Sequence, residues 1–250
     1  MGLFSNDYNK EGPGVGKDVS MDPGFIRFFK VIWAKFGQLV ILNIVYIFAC
    51  APIVTIGPAT AGLTYVLRNM SQSKPVFFMS DFIEKCKTSF KNGFLVTVID
   101  AIAAVLIYFS FMFWSDPSIG IPSFFRPFAL VVTFLVGYLI VCMNFYIFPM
   151  MVSFDLPLKK LIKNSLILAM YKIWHNIAIV LFVLALVVIC FLLGLLSFPI
   201  VITLFFSLIN LFTNFIIYPL LVKYVAAPVE SEPAVSTAEE KVFSDERRIK

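Results

Sequence analysis

The chain has 250 residues, of which 60% are hydrophobic and only 14% are charged. Soluble domains carry about a quarter charged residues, so this composition excludes a water-soluble globular protein and predicts a membrane protein. The net charge of +5 comes from short basic clusters between apolar blocks. That pattern is typical of cytoplasmic loops and argues against a partner made of nucleic acid.

The first charge-free stretch, residues 36–67, is longer than the roughly 20 residues that one transmembrane helix needs. Pro52 and Pro58 interrupt it. Either one long helix crosses once and leaves residues 68–91 outside, or two short helices form a hairpin. Basic residues flank the stretch on both sides, which favours the hairpin because both flanks then lie in the cytoplasm. The two predicted spans cover about residues 31–50 and 53–69.

Four further apolar blocks follow. The loop after the first of them contains a single basic residue, Arg126, whereas the loop after the second contains several lysines. The run from 173 to 222 contains no Asp, Glu, Lys or Arg, and Gly194 and Pro199 indicate a turn within it. The four predicted spans cover about residues 93–114, 127–148, 176–196 and 199–222.

These spans predict an all-α fold, a polytopic transmembrane bundle of about six helices with both ends in the cytoplasm. Residues 1–21 are polar and rich in glycine, and we expect a flexible cytoplasmic N-terminus. Residues 224–250 contain mostly Pro, Ser, Ala and acidic residues. Such a segment buries too little apolar surface to order itself, so it is predicted to be a disordered acidic tail.

A cytoplasmic helix is predicted to lead the first, third and fifth spans. The third of these leaders, residues 155–175, has apolar residues at helical spacing and lysines elsewhere, which is typical of an amphipathic helix. The corresponding leaders are residues 25–35 and 80–92. Lys91-Asn92 and Lys163-Asn164 each open an apolar run. This echo is only a dipeptide, so an internal repeat and a chance match both remain open.

No known catalytic pattern is present in the sequence. A single histidine, His175, excludes a metal site built on several histidines, and the four cysteines form no C-x-x-C pair. The sequence also lacks a Gly-rich phosphate loop and a G-x-S-x-G motif. We therefore expect no enzyme activity, no metal and no cofactor.

Asp100 is the strongest candidate for a functional residue, because it is the one charge in the third predicted span. A carboxylate inside lipid costs a few kcal/mol, so it is expected to face the bundle interior, a cavity or a partner. It is either a proton or ion site, or a structural acid that hydrogen-bonds to a neighbour such as Asn43 or Tyr46.

Other polar residues in the predicted spans complete a candidate intramembrane site. Thr55 and Thr60 lie in the Pro-rich segment and can satisfy carbonyls that prolines leave free, or they can form the turn before the second span. Amides inside a bundle usually join helices. The amide candidates are Asn43, Asn144, Asn210 and Asn214.

The segment around the second span resembles the YesL family, bacterial membrane proteins that share a domain of unknown function. The resemblance rests on Leu42–Tyr46, Pro52–Leu63, Tyr65–Arg68, Asp81-Phe82 and Phe90–Asn92. It extends over about residues 22–223, and its Thr-Ile-Gly-Pro-Ala-Thr core is the most specific part. The resemblance implies a multi-pass protein of the bacterial cell membrane, often encoded near carbohydrate uptake systems. It brings no catalytic residues.

Two functions are consistent with the sequence. The first is an accessory or regulatory protein linked to carbohydrate uptake, whose partner in the lipid bilayer would be a sugar ABC-transporter permease or a sensor kinase. The second is a small transporter or channel that uses Asp100 and the broken hairpin of the first two spans.

Overall fold

A computed structural model describes residues 24–116, 122, 124–154 and 156–226. Helices and short turns account for this part of the chain, which confirms the predicted all-α membrane bundle. The helices are α1 (Gly24–Ala34), α2 (Phe36–Ala49), α3 (Ile56–Ser71), α4 (Phe78–Thr88), α5 (Phe90–Ser115), α6 (Phe125–Ser153), α7 (Leu158–Tyr171), α8 (Ile173–Leu193), α9 (Ser197–Ile200) and α10 (Phe206–Leu221).

Three described helical runs are long and apolar enough to cross a membrane: Phe90–Ser115, Phe125–Ser153 and Ile173–Val225. The third run folds back on itself. Gly194 adopts a positive φ of 53°, and the rings of Phe182 and Phe212 stack with centroids 4.0 Å apart. A straight helix would separate these two rings by roughly 45 Å, so α8 and α10 form an antiparallel hairpin with its turn at Gly194, as the sequence predicts.

The first predicted span is interrupted near its start. Ile26–Ala34 and Phe36–Ala49 meet at an angle of 79° and count together as a fourth candidate span. Lys35 lies at the bend with φ −120° and ψ 22°, outside the helical region. The continuous helix predicted for residues 31–50 is therefore wrong at this point, because a charged residue at the edge of the apolar run coincides with the bend.

The second predicted span corresponds to α3, which lies at the centre of the bundle and contacts α2, α4, α5, α6 and α10. Its sixteen residues are largely buried and span roughly 24 Å, less than the thickness of the hydrocarbon core. Small residues allow this packing. A Cβ on Gly57 would lie 2.0 Å from the Gly93 carbonyl oxygen of α5, and a Cβ on Gly62 would lie 2.6 Å from the Cys86 Sγ of α4.

Each leading helix is separated from the next helix by one residue, at Lys35, Ser89 and Lys172. Each of these three residues still takes part in i to i−4 backbone hydrogen bonds in both directions. The N–H groups of Lys35, Ser89 and Lys172 donate to the carbonyls of Val31, Lys85 and Leu168, respectively. The carbonyls of Lys35, Ser89 and Lys172 accept from the N–H groups of Leu39, Gly93 and Asn176, respectively. The predicted leaders are therefore present as α1, α4 and α7.

The dipeptide echo does not mark this repeated plan. Lys91-Asn92 follows the break at Ser89, whereas Lys163-Asn164 lies inside α7, before the break at Lys172. The two pairs thus occupy different places in their units, and the alignment based on them is wrong.

At the C-terminal end, a π-helical segment continues α10 as far as Ala226. The helix thus covers the first residues of the predicted tail. The flexible N-terminus predicted for residues 1–21 and the remainder of the predicted acidic tail lie outside the described residues.

Candidate functional site

Asp100 lies on α5 and pairs with α6. Asn144 donates from Nδ2 to Asp100 Oδ1 at 3.0 Å and to the Ile140 carbonyl at 3.2 Å. Asn144 Oδ1 is buried and has no hydrogen-bond partner within the described chain. The partners predicted for Asp100, Asn43 and Tyr46, are wrong because the sequence does not reveal which helix lies beside α5.

Asp100 and Asn144 line one end of a groove between α5 and α6, with a volume of about 640 Å³. The rest of the groove is mostly apolar, and Phe111, Phe134 and Gly137 are among its lining residues. Thr133 also lines the groove, and its hydroxyl lies 2.9 Å from the Ser110 hydroxyl in a hydrogen bond that joins α5 to α6. The groove is open to the surroundings of the bundle, since Phe134 is 65% exposed.

Asn43 is fully buried on α2 and joins it to the chain before α10. Its Nδ2 donates to the carbonyls of Val201 and Ile202 at 3.1 and 2.6 Å, and its Oδ1 accepts from the Ser207 N–H at 2.9 Å. Residues Val201–Phe205 form a π-helical turn, which disrupts the regular i to i−4 pairing. Asn43 thus satisfies the backbone groups that this turn leaves without regular partners.

A row of polar side chains runs between α3 and α10. Tyr46 OH lies 3.1 Å from Thr60 Oγ1, and Asn210 Nδ2 donates to Thr64 Oγ1 at 2.9 Å. Each threonine donates its own proton to the carbonyl four residues earlier, so its oxygen is left to accept. Asn214 Nδ2 then donates to Asn210 Oδ1 at 2.7 Å, and Asn214 Oδ1 is buried without a partner in the described chain.

Thr55 lies apart from this row, in the turn between α2 and α3. Its hydroxyl contacts the carbonyls of Ala49 and Pro52 at 2.5 and 2.6 Å. The side chain therefore ties together the backbone on either side of the turn. This geometry agrees with the turn-forming interpretation of the Pro-rich segment.

Arg68 is a polar residue that sequence reasoning assigned only to membrane topology. Its Nη1 donates to the Val152 carbonyl and to Ser153 Oγ, both at 2.8 Å, and its Nη2 donates to Asn69 Oδ1 at 3.0 Å. The guanidinium thereby meets the C-terminal carbonyls of α6, where the helix dipole favours a cation. The feature of the sequence that could have indicated this contact is the position of Arg68, a basic residue directly after an apolar run.

The seven predicted residues thus fall into separate places and do not form one site. Asp100 pairs with Asn144. The row on α3 and α10 brings together Thr60, Asn210 and Asn214, while Asn43 and Thr55 hold local backbone. Within the described part of the chain, no three His, Cys, Asp or Glu side chains are grouped so that they could hold a metal ion.

The helices and their buried polar contacts define a helical membrane protein. Residues 39–111, which extend from α2 into α5, match the family model described as "Protein of unknown function, DUF624". The uncharacterized protein YteU of Bacillus subtilis (strain 168) is 30% identical over 122 residues, which are 48% of this chain and 52% of that protein. The matched part therefore spans about half the length of that relative. No solved structure matches the chain.

These comparisons confirm the resemblance to the YesL type of membrane protein that Pro52–Leu63 and its flanking residues predict. The matched residues include Asn43, Thr64 and Asp100. Their contacts Asn144, Asn210 and Ser207 lie beyond residue 111.

Proposed function

We propose that this chain is an accessory or regulatory membrane protein linked to bacterial carbohydrate uptake, and that it acts through contacts with a partner in the bilayer. The observation that supports this proposal is the outer hairpin, which comprises residues 98–115 of α5 and 125–141 of α6. Of α5 only Gly93 and Val96 are buried, and the outer part of α6 is buried only at Thr133.

The outer hairpin holds itself together by its own contacts. Phe111 and Phe134 pack edge to face with ring centroids 5.9 Å apart, and the hydroxyls of Ser110 and Thr133 share a hydrogen bond. Most of its other large side chains are exposed, and Leu106 and Phe109 are more than 60% exposed. A self-supporting hairpin beside the main bundle suits lateral contact with another membrane protein.

The link to carbohydrate uptake comes from the family resemblance alone. It makes a sugar ABC-transporter permease or a sensor kinase the expected partner. The proposal includes no chemical reaction, and it places the chain in the bacterial cell membrane with both ends in the cytoplasm.

Co-purification from a mild detergent, followed by mass spectrometry, tests this function. We expect the tagged full-length chain to enrich a permease or a sensor kinase, and Phe109→Ala in the outer hairpin to reduce that enrichment. Leu184→Ala, at an exposed position of α8, is the matched control and is expected to have no effect. Recovery of the same proteins with an unrelated tagged membrane protein would contradict the proposal.

A second candidate function is a small transporter or channel that uses Asp100. The observation that favours it is the groove between α5 and α6, whose lining includes Asp100 and Asn144. Purified protein in liposomes would then show ion or solute flux that Asp100→Asn reduces. Flux equal to that of empty liposomes would rule this candidate out.

A further inference from the structure

The groove of the outer hairpin extends along α5 from Asp100 to Phe111, roughly 16 Å or three helical turns. Its inner end is polar and the rest is lined by side chains such as Ile107, Phe134 and Val141. Gly137 lacks a side chain and meets only the side chain of Ile107. The groove is therefore shallow and mostly apolar, and it is long enough to pack against about three turns of another helix.

The polar end of this groove requires a hydrogen-bond donor. Both Nδ2 bonds of Asn144 are in use, one to Asp100 and one to the Ile140 carbonyl. The Asp100 carboxyl can still accept further hydrogen bonds. So can Asn144 Oδ1, which is buried without a partner in the described chain. A charged group at this depth is costly unless it is paired, so a cation is the complementary occupant.

Among the described residues, Asp100 pairs with Asn144 and with no Lys or Arg. The apolar runs of residues 36–67, 92–125, 127–154 and 173–222 contain no Lys or Arg, so the membrane-spanning helices of a second copy have no basic residue to place against Asp100. The helical rise from Ser89, where the leader joins α5, to Asp100 is roughly 16 Å, about half of the hydrocarbon core. An amine of a lipid headgroup stays at the membrane surface and does not reach it.

We propose that this groove binds a transmembrane helix of a different protein, and that this helix places a Lys or Arg against Asp100 and Asn144. The inference rests on the proposed function, since it assigns the chemistry of the partner contact. Asp100 and Asn144 provide the acceptors, and the apolar lining between Ile107 and Phe134 packs against the flanking turns of the partner helix. Because both surfaces are mostly apolar, the charge pair fixes the register of the contact.

Photo-crosslinking in intact membranes tests the inference directly. A photo-reactive amino acid is placed at Val141 in the groove and, as a control, at Leu184 on α8, which is similarly exposed. We expect Val141 to crosslink to one protein whose sequence has a Lys or Arg in the central third of a transmembrane helix. Asp100→Asn is expected to lower this crosslink at least tenfold, and Asp100→Glu to retain it.

Charge reversal provides a second test that does not depend on loss of binding. With Asp100→Lys, the crosslink is expected to return when the basic residue of the partner is changed to Asp. An unchanged crosslink in Asp100→Asn would overturn the inference, as would crosslinks only to lipid or to a second copy of the chain.

The results also separate the inference from the proposed function. A permease or kinase that still co-purifies with Asp100→Asn at the wild-type level would leave the proposed function intact and overturn the charge pair. If no protein co-purifies with the wild-type chain, both are overturned. As a check on folding, the Asp100→Asn variant must elute from a sizing column at the same volume as the wild type. If it does not, the inference is tested by the charge-reversal experiment alone.

Discussion

At the scale of single residues, Asn43 determines how α2 and the start of α10 fit together. It contacts the carbonyls of Val201 and Ile202 and the N–H of Ser207. Removing the amide leaves three backbone groups without this partner, of which the Ser207 N–H is buried and the two carbonyls are partly buried. We expect Asn43→Ala to lower the free energy of unfolding by about 2 kcal/mol.

A thermal unfolding series in detergent measures this effect. Ser197→Ala is the control, because Ser197 bonds only to the Gly194 carbonyl in its own turn and should change stability little. An Asn43→Ala variant as stable as the control would show that the π-helical turn relaxes without help from α2.

The contact between Gly57 and Gly93 is a close approach of α3 to α5. A Cβ on Gly57 would lie 2.0 Å from the Gly93 carbonyl oxygen and 2.3 Å from Thr97 Oγ1. Because backbone is in the way, we expect Gly57→Ala to destabilise the bundle by about 1–3 kcal/mol or to prevent folding.

The matched variant is Gly37→Ala, whose Cβ would meet nothing within 4 Å and which removes a flexible glycine from a helix. It is expected to leave the protein equally or slightly more stable. Equal expression and equal melting temperatures for the two variants would contradict the close approach.

Some residues of the candidate site were accessible from sequence and others were not. A lone acid in an apolar run singles out Asp100 by its cost in lipid. Its partner Asn144 and the role of Asn43 depend on which helices lie side by side, and no local pattern carries that information. Arg68 was missed as a contact residue because a basic residue at the end of a span is explained equally well by topology.

At the scale of helices, the packing of α4 on α3 determines the chemistry of Cys86. Burial raises the pKa of its thiol to about 11, and Gly62 lies directly against its sulfur. Since the thiolate is the reactive form, a raised pKa means that the thiol stays protonated at pH 8. We expect Cys86 to react with a maleimide slowly at pH 8 and faster as the pH rises toward 11.

The measurement uses a variant in which the other three cysteines are replaced by alanine. The same protein unfolded in SDS is the control and should react rapidly. Equal rates in the folded and unfolded states would show that α3 does not cover this thiol.

The positions of the helices were largely predictable from the sequence, whereas the breaks between consecutive helices were only partly predictable. Apolar runs between charges located α5, α6 and the hairpin of α8 and α10, because lipid excludes charge. The predicted leader of residues 25–35 ends at the break at Lys35, whereas the predicted span of residues 31–50 runs across it, because a lysine at the edge of an apolar run is equally compatible with a continuous helix. The Lys-Asn echo failed because a dipeptide has no fixed position relative to a helix break.

At the scale of the whole molecule, α3 determines the number of crossings. It is shorter than the hydrocarbon core and is mostly surrounded by protein. If it crosses, Ser73 at its C-terminal end lies in the cytoplasm. We expect Ser73→Cys, in a chain without the native cysteines, to resist an impermeant maleimide added to intact cells.

Asp116→Cys at the end of α5 is the positive control and should be labelled from outside. Both positions are exposed, so accessibility alone does not separate them. Labelling of Ser73→Cys from outside would require a different pairing of the helices and would contradict the six-span prediction.

The polar face of α3 also affects the order of events during synthesis. Thr64 meets Asn210, which is 146 residues further along the chain, and Arg68 meets Val152, 84 residues further along. At roughly 5–20 residues per second, the ribosome needs roughly 7–30 s to make α10 after α3. During that interval Thr64 lacks its partner Asn210, although Thr60 already has Tyr46 of α2. The final packing of α3 therefore forms only after the later helices are made. In ribosome-bound chains that end before α10, we therefore expect α3 to remain next to the insertion machinery and not yet to be packed into the helix bundle.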